Sequence, residues 1–235
     1  MVRPGTPIVF DVNVLIDAVH STSRRRESAV RALTDDSGFV PYTSSAILRT
    51  LSFKLLEFGV SQEKVEEYVG FLLDREDGLC FRSIEDIVVR DRGIRDRHGA
   101  ADFEDAVVAC SIEAVEHLTG HKALFVTSDI GFLDWAAQND QAALAPHSLT
   151  QWTRGKSHPS KLRSLQYLSE HMPPLDTTRG LRQRAKAHEI VARTLKEEQN
   201  RQRQPTSTAR PPHPLPPHRS AEPARPAPDD SEPEL

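Results

Sequence analysis

Short apolar runs that end in an aspartate constrain the fold of this chain most strongly. Ile8-Val9-Phe10 leads directly into Asp11, and Phe125-Val126-Thr127-Ser128 leads into Asp129. Such runs are typical of buried strands, and the helical patterns between them indicate strands and helices that alternate along the chain. The sequence therefore predicts an α/β sandwich, with a parallel sheet of about four to five strands flanked by helices.

The positions of the elements follow from apolar periodicity and from capping residues. Asn13, the segment 43–45 and Ser61 are plausible helix caps, and Gly59 is expected to end a helix. The predicted strands are 7–10, 39–42, 79–84 and 124–126. The predicted helices are 14–19, 23–34, 43–58, 62–74, 87–95, 102–117, 132–137, 160–171 and 180–199.

Charge and composition divide the chain into three predicted parts. Residues 1–153 carry 15 Lys and Arg against 24 Asp and Glu, a net charge of −9, whereas residues 154–203 carry 12 against 5, a net charge of +7. Ten of the 17 prolines follow residue 201, where little apolar surface is available to offset the entropy of ordering. We expect a globular domain over 1–150, a basic helical extension over 151–200 and a disordered Pro-rich tail over 201–235.

Cysteine usage and hydropathy bear on the compartment. Cys80 and Cys110 lie in apolar runs and are expected to be reduced core residues rather than a disulfide pair. No stretch of about 18 apolar residues is present, so no membrane span is expected. The N-terminus runs directly into a strand without the pattern of a signal peptide. These features predict a cytoplasmic protein.

Acidic residues at strand ends and helix starts indicate a cation site. Carboxyl ends of parallel strands meet in the crevice where α/β folds bind ligands, which places Asp11 and Asp129 together. Asp102 and Asp105, three residues apart, share one face at the start of a helix. Converging carboxylates need a cation, and oxygen ligands without nearby His or Cys favour Mg²⁺ or Mn²⁺. The alternatives are that Asp11 only caps a helix, that Asp129 is a turn residue, and that acids collect at the later helix start for stability.

The predicted site uses Asp11, Asp105 and Asp129 as the catalytic metal carboxylates, with Asp102 as a fourth ligand. Asn13 would hold the neighbouring loop, and Thr127 and Ser128 would support the strand end. In such sites the metal activates a water and stabilises charge on a phosphate, so no side chain need act as nucleophile. This is the pattern of a metal-dependent phosphodiesterase.

The motifs resemble those of the PIN-domain ribonucleases, in particular the VapC-like toxins of toxin–antitoxin pairs. The resemblance covers about residues 7–140 and depends on Val9-Phe10-Asp11-Val12-Asn13-Val14-Leu15-Ile16-Asp17, on Asp102-Phe103-Glu104-Asp105-Ala106-Val107-Val108-Ala109, and on Phe125-Val126-Thr127-Ser128-Asp129 with Phe132. It implies a Rossmann-like three-layer sandwich and RNA cleavage with Mg²⁺ or Mn²⁺. It also implies a homodimer restrained by a cognate antitoxin protein.

One position departs from the family pattern. The helix after the second strand usually carries a glutamate in the site, and Thr50 occupies that place here. Thr can orient a metal-bound water but supplies no negative charge. An alternative function is therefore a catalytically weakened PIN domain that binds RNA or protein. A receiver-like phosphoryl switch is disfavoured, because no lysine follows a late strand.

The basic extension offers candidate RNA-binding residues. Arg179, Arg182 and Arg184 could hold RNA phosphates, or they could contact an acidic partner. The extension could also be a solvated helix without a ligand.

Overall fold

A computed structural model of the protein describes residues 4–20, 22–84 and 103–176, together with 178, 179, 193 and 196. The predicted helices 87–95 and 180–199 lie outside the described residues, apart from residues 193 and 196 of the second helix. So do Asp102, Arg182, Arg184 and the predicted tail. All elements described below belong to one compact unit, Met1–His188.

Five strands and eight helices alternate through the described residues. The strands are β1 (Pro7–Phe10), β2 (Val40–Ser44), β3 (Arg82–Ile84), β4 (Leu124–Val126) and β5 (Ala143–Leu144). The helices are α1 (Val12–Val19), α2 (Arg26–Leu33), α3 (Ser45–Glu57), α4 (Gln62–Leu73), α5 (Phe103–Thr119), α6 (Ile130–Gln138), α7 (Pro146–Trp152) and α8 (Pro159–His171).

The strands form one parallel sheet in the order β3-β2-β1-β4-β5. Strand β1 is central and every residue of it is buried, as expected for a strand covered on both faces. The chain leaves β1 toward β2 on one side and later returns to add β4 on the other. The predicted α/β class and the parallel sheet of four to five strands are confirmed.

Local signals place most element boundaries. The bounds predicted for β1 and β4 are those observed. Ser44 caps α3 by accepting a hydrogen bond from the backbone N–H of Ile47 (3.1 Å), and Ser61 caps α4 in the same way. Gly59 ends α3 with a φ of 91°, a left-handed conformation that glycine adopts without strain.

Asn13 is not a helix cap. Helix α1 begins at Val12, and Asp11 holds the N-cap position in extended conformation. Asn13 is the second residue of the helix, and its amide turns back to the Asp11 carboxylate. The earlier start follows because the chain enters the helix directly from the end of β1.

Strand β3 is shorter than predicted because the backbone N–H groups before it are used elsewhere. The N–H groups of Leu79, Cys80 and Phe81 donate to carbonyls at the end of α4. Cys80 also has a φ of 61°, outside the extended region. Neither Cys80 nor Cys110 forms a disulfide; Cys110 is buried as predicted, but Cys80 is only half-buried.

The sequence did not predict strand β5 or helix α7, but it did predict helix α8, which lies beyond residue 150. Strand β5 has two residues, too few for a periodic pattern, and α7 begins at Pro146 without a polar cap. Helix α8 closely matches the predicted segment 160–171 and packs against α1 and α2. The predicted domain boundaries at 150 and 200 stay predictions.

A buried hydroxyl pair ties α5 to the sheet. The side chains of Ser44, at the end of β2, and Ser111, on α5, are hydrogen-bonded at 2.7 Å. Ser111 also donates to the carbonyl of Val107. Because α5 packs against β1, β2 and α3, this pair fixes the helix beside the carboxyl edge of the sheet.

No helix in the described part of the chain is both long and apolar enough to cross a bilayer.

Candidate metal centre

One row of polar residues crosses the carboxyl edge of the sheet. The registers pair Val9 with Tyr42 and Phe10 with Val126, so Asp11 stands level with Ser44 on one side and Thr127 on the other. The backbone N–H of Asp11 donates to the carbonyl of Val126, which continues the ladder past the strand end. This edge between β1 and β4 is the point where strand order reverses, the usual ligand crevice of open α/β sheets.

Asp11 is a buried carboxylate held from two directions. Its side chain is 6% exposed, and its Oδ2 accepts a 2.6 Å hydrogen bond from the Thr127 hydroxyl. The Asn13 amide donates to the same oxygen at 3.4 Å. The predicted supporting residues Asn13 and Thr127 therefore both contact the predicted central carboxylate.

Asp129 lies beside Asp11 and begins the next helix. Its backbone N–H donates to the Thr127 hydroxyl at 3.0 Å, and its Oδ1 accepts from the backbone N–H of Phe132 as the cap of α6. Asp129 therefore caps a helix, and its negative charge also acts on Asp11. Capping uses Oδ1, and the negative charge of the carboxylate remains at the edge of the sheet.

The surroundings raise the pKa of Asp11. Burial is the largest cause, because it disfavours the charged form. The hydrogen bond from Thr127, the positive charge of Lys54 and a backbone hydrogen bond from Asn13 act in the opposite direction, while the negative charge of Asp129 raises the pKa further. The upward direction is the signature of a desolvated carboxylate next to a second one.

Lys54 is a site residue that the sequence predictions missed. It is half-buried on α3, and its charge acts on the Asp11 carboxylate. It lies one helical turn after Thr50, which is also half-buried, so the two residues share one face of α3. Where the family pattern has an acid, this helix presents a hydroxyl followed by a cation. No sequence pattern near Lys54 indicates its effect on Asp11, because the interaction joins two separate elements.

Asp105 occupies the first turn of α5 and is half-buried. It precedes the core residues Val108, Ala109 and Ile112 by three, four and seven positions, so it belongs to the face of α5 that covers the sheet. A helix that leads into a parallel strand starts at the carboxyl edge, so Asp105 lies at the same edge as Asp11. Its predicted partner Asp102 lies outside the described residues.

Asp17 is a second residue missing from the predicted site. Its two oxygens accept hydrogen bonds from Ser23 at 2.7 Å and from Ser128 at 3.3 Å. Ser128 precedes Asp129, so Asp17 links the end of β4 to the loop after α1. Asp17 lies four residues after Asn13 on one face of α1, a spacing that could have identified it.

Arg179 lies far from the carboxylates. Its guanidinium approaches Gly59 at the C-terminal end of α3, and Asp176, three residues before it, bonds to the carbonyl of Phe58. Because α3 starts at Ser45 beside the carboxyl edge, Arg179 is roughly 20 Å from that edge, at a rise of about 1.5 Å per residue. The other two predicted RNA-binding residues, Arg182 and Arg184, lie outside the described residues.

The donor set fits a hard cation through two carboxylates. Within the described residues, no group of three or more His, Cys, Asp or Glu side chains is placed to hold a metal ion. Mg²⁺, however, commonly binds through one or two carboxylates and keeps water and substrate phosphate as its other ligands. Asp11 and Asp129, two repelling carboxylates at a ligand crevice, fit that kind of site, and Lys54 would weaken it.

Comparisons with known proteins give no match from which a family could be assigned. No protein-family model matches the sequence, and no curated protein matches it significantly. The resemblance to PIN-domain ribonucleases therefore depends on the motifs alone.

Proposed function

We propose that this protein is an endoribonuclease that depends on Mg²⁺ or Mn²⁺ and has a PIN-like active site. The observation that carries the proposal is the buried Asp11 carboxylate at the strand-order reversal, hydrogen-bonded to Thr127 and beside the charge of Asp129. A buried carboxylate with a raised pKa at a ligand crevice is a candidate for function rather than stability, because its burial costs folding free energy.

Asp11 and Asp129 would hold the metal ion, with Asp105 and Asp102 proposed as further ligands from the start of α5. A bound Mg²⁺ or Mn²⁺ supplies a water of lowered pKa and stabilises charge on the phosphate and on the leaving oxygen. Thr127 fixes the orientation of Asp11, and the Asn13 amide restrains the same oxygen. Ser128 anchors the strand end through Asp17.

Lys54 has a defined electrostatic role in this proposal. Its charge lowers the pKa of Asp11, against the larger effect of burial, and so favours the ionised form that a metal needs. The same charge would attract an RNA phosphate and repel the metal ion. Thr50, on the same face of α3, could orient water but would not bind the ion as a carboxylate does.

The biological setting is proposed from the resemblance. We propose a cytoplasmic toxin of a type II pair, inhibited by a small antitoxin protein and active as a homodimer. Neither cysteine forms a disulfide, which is compatible with a reducing compartment. The RNA substrate would be single-stranded or structured RNA.

The second candidate is a weakened PIN domain that binds RNA or protein without cutting. The observation in its favour is that α3 contributes the positive charge of Lys54 to the surroundings of Asp11, and has Thr50 one turn earlier where the family pattern has a glutamate. The positive charge of Lys54 offsets part of the negative charge of Asp11 without any metal. Such a protein would keep the fold and would bind RNA or protein, but it would not cleave RNA.

The test is cleavage of a broad RNA pool by full-length, antitoxin-free protein with Mg²⁺ or Mn²⁺. EDTA and Asp11→Asn are paired controls, and Asp134→Asn on α6 is a matched variant of an acid outside the site. Cutting that is lost with EDTA and with Asp11→Asn, but kept with Asp134→Asn, supports the nuclease. Absence of cutting by the folded wild-type protein, with RNA binding retained, supports the second candidate.

A further inference from the structure

A cleft of about 820 Å³ lies between the start of α2 and one face of α8. Three arginines, Arg24, Arg26 and Arg31, line it from the α2 side. Helix α8 contributes Leu162, Gln166 and Glu170, which follow each other at four-residue spacing and so form one face. The cleft is open to solvent and its lining is more cationic than anionic.

Two of these arginines lack partners among the described residues. Arg31 is paired with Glu27 at 2.7 Å, whereas neither Arg24 nor Arg26 pairs with an acidic side chain in the described part of the chain. The Nε of Arg26 is buried and has no hydrogen-bond partner there. That buried nitrogen is closed to a ligand, but two guanidinium groups that line an open cleft without an acidic partner favour an anion there.

A short series of contacts joins the cleft to the carboxylate edge. Ser23 lines the cleft, and its hydroxyl donates to Asp17. The second oxygen of Asp17 accepts from Ser128, the residue before Asp129. Two hydrogen bonds therefore connect Ser23, the residue before Arg24, to Ser128, the residue before Asp129.

We propose that this arginine cleft binds backbone phosphates of an RNA strand whose scissile phosphate lies at Asp11 and Asp129. The inference rests on the proposed function, because it names the path that the substrate of that site takes. A guanidinium matches the geometry of a phosphate through two parallel hydrogen bonds. The start of α2 adds the positive end of a helix dipole to the same side.

Glu170 disfavours a phosphate on the α8 side of the cleft. It is exposed at the α8 side of the cleft, where a negative charge repels a phosphate. An RNA strand bound to Arg24 and Arg26 would pass with its phosphates on the α2 wall and its bases toward Leu162 and Gln166. The charge arrangement therefore gives opposite expectations for the two walls.

The test measures binding of a short fluorescent single-stranded RNA to full-length protein in EDTA, which removes cleavage from the readout. We expect Arg24→Gln/Arg26→Gln to weaken binding about tenfold. Its logarithmic salt dependence is expected to become shallower by about 1.4, since each contact to a single strand contributes about 0.7. Arg163, also on α8, does not line this cleft but a separate one with Phe71 and Asp74; Arg163→Gln is therefore the matched control and is expected to bind as wild type.

Glu170→Gln is a second variant, and its result is informative even if the Arg24→Gln/Arg26→Gln protein does not fold. We expect it to tighten RNA binding about two- to threefold, because it removes a repulsive charge from an exposed position. A role of these residues in stability alone would not produce a gain in affinity. Thermal melting of each variant verifies that the protein remains folded.

Several outcomes would overturn the inference. They are wild-type affinity and salt dependence in Arg24→Gln/Arg26→Gln, an equal loss in Arg163→Gln, no gain in Glu170→Gln, or arginine-dependent binding of polyglutamate without binding of RNA. Metal-dependent cutting that does not need the arginines would remove the cleft proposal and leave the nuclease. Arginine-dependent RNA binding without cutting would support the cleft and remove the nuclease.

Discussion

The hydroxyl of Thr127 donates a 2.6 Å hydrogen bond to the carboxylate of Asp11, a residue 116 positions away in the chain. The hydroxyl oxygen of Thr127 also accepts a hydrogen bond from the backbone N–H of Asp129, at 3.0 Å. One hydroxyl at the end of β4 therefore contacts the carboxylate of Asp11 and the backbone of Asp129. The position of the Asp11 carboxylate relative to the end of β4 depends on this hydroxyl.

Replacing Thr127 by valine tests that dependence. Thr127→Val keeps the shape and removes the donor, so the pKa of Asp11 is expected to rise further. The loss of a hydrogen bond to a charged group is expected to cost about 1.5–3 kcal/mol of stability. Metal affinity is expected to fall at least about tenfold, as for other groups that orient a ligand. Thr127→Ser keeps the donor and is expected to restore affinity; equal behaviour of the two variants would contradict the role.

The pH dependence of stability without metal is determined partly by Asp11. Because burial raises its pKa in the folded state above the usual value of 3.8, the folded chain binds more protons than the unfolded chain between those two pKa values. The contribution of Asp11 to stability is therefore fully present below the unfolded pKa. It is lost as pH rises through the folded pKa.

Asp11→Asn removes this titration. In EDTA at neutral pH, the variant is expected to melt at a higher temperature than wild type, although it loses metal binding. The difference is expected to shrink as pH falls through the folded pKa of Asp11, and added Mn²⁺ should stabilise wild type only. Calorimetric melting between pH 4 and 8 measures the effect. Lower stability of Asp11→Asn across that range would show that the buried carboxylate stabilises the fold.

The hydroxyl at position 50 gives a gain-of-function prediction. Thr50→Glu places a carboxylate on the face of α3 that carries Lys54, near the proposed metal. We expect it to tighten Mn²⁺ binding about tenfold and to raise the rate of RNA cleavage, since it adds an oxygen ligand of negative charge. Thr50→Gln is the matched control with the same size and no charge. If the two variants bind Mn²⁺ alike, position 50 lies away from the ion.

Tyr68 anchors the helix that follows Asp11. Its buried hydroxyl donates to the carbonyl of Leu15 on α1 at 2.8 Å, and burial raises its pKa well above the ordinary value. Tyr68→Phe is expected to cost about 1 kcal/mol, the usual net value of one such hydrogen bond. Denaturant unfolding measures this loss. A change in metal affinity larger than the change in stability would show that α1 also shifts at Asp11.

Much of the fold could be predicted because its signals are local. The apolar run of β1 is bounded by a turn and by Asp11, and Ser44 and Ser61 are capping residues that act within three positions. Strand β5 gave no signal because it has two residues. The start of β3 depends on where the N–H of Cys80 finds an acceptor, and that acceptor is at the end of another helix.

The site could be predicted only in part, because its geometry depends on strand order. Asp11 and Asp129 each follow a strand. Their proximity could be predicted because the carboxyl ends of parallel strands lie at one edge of the sheet. Lys54 acts on Asp11 across two elements, and no pattern near either residue reveals this interaction. The cleft of Arg24 and Arg26 likewise needs α8 to pack on α2, a contact between distant segments.

Titration of Mn²⁺ into full-length protein, followed by calorimetry at neutral pH, is the most direct test of the carboxylate edge as a metal site. We expect saturable binding that is lost in Asp11→Asn, weakened in Asp129→Asn and unchanged in Asp134→Asn. Binding that persists in Asp11→Asn, or no binding by folded wild-type protein, would contradict it.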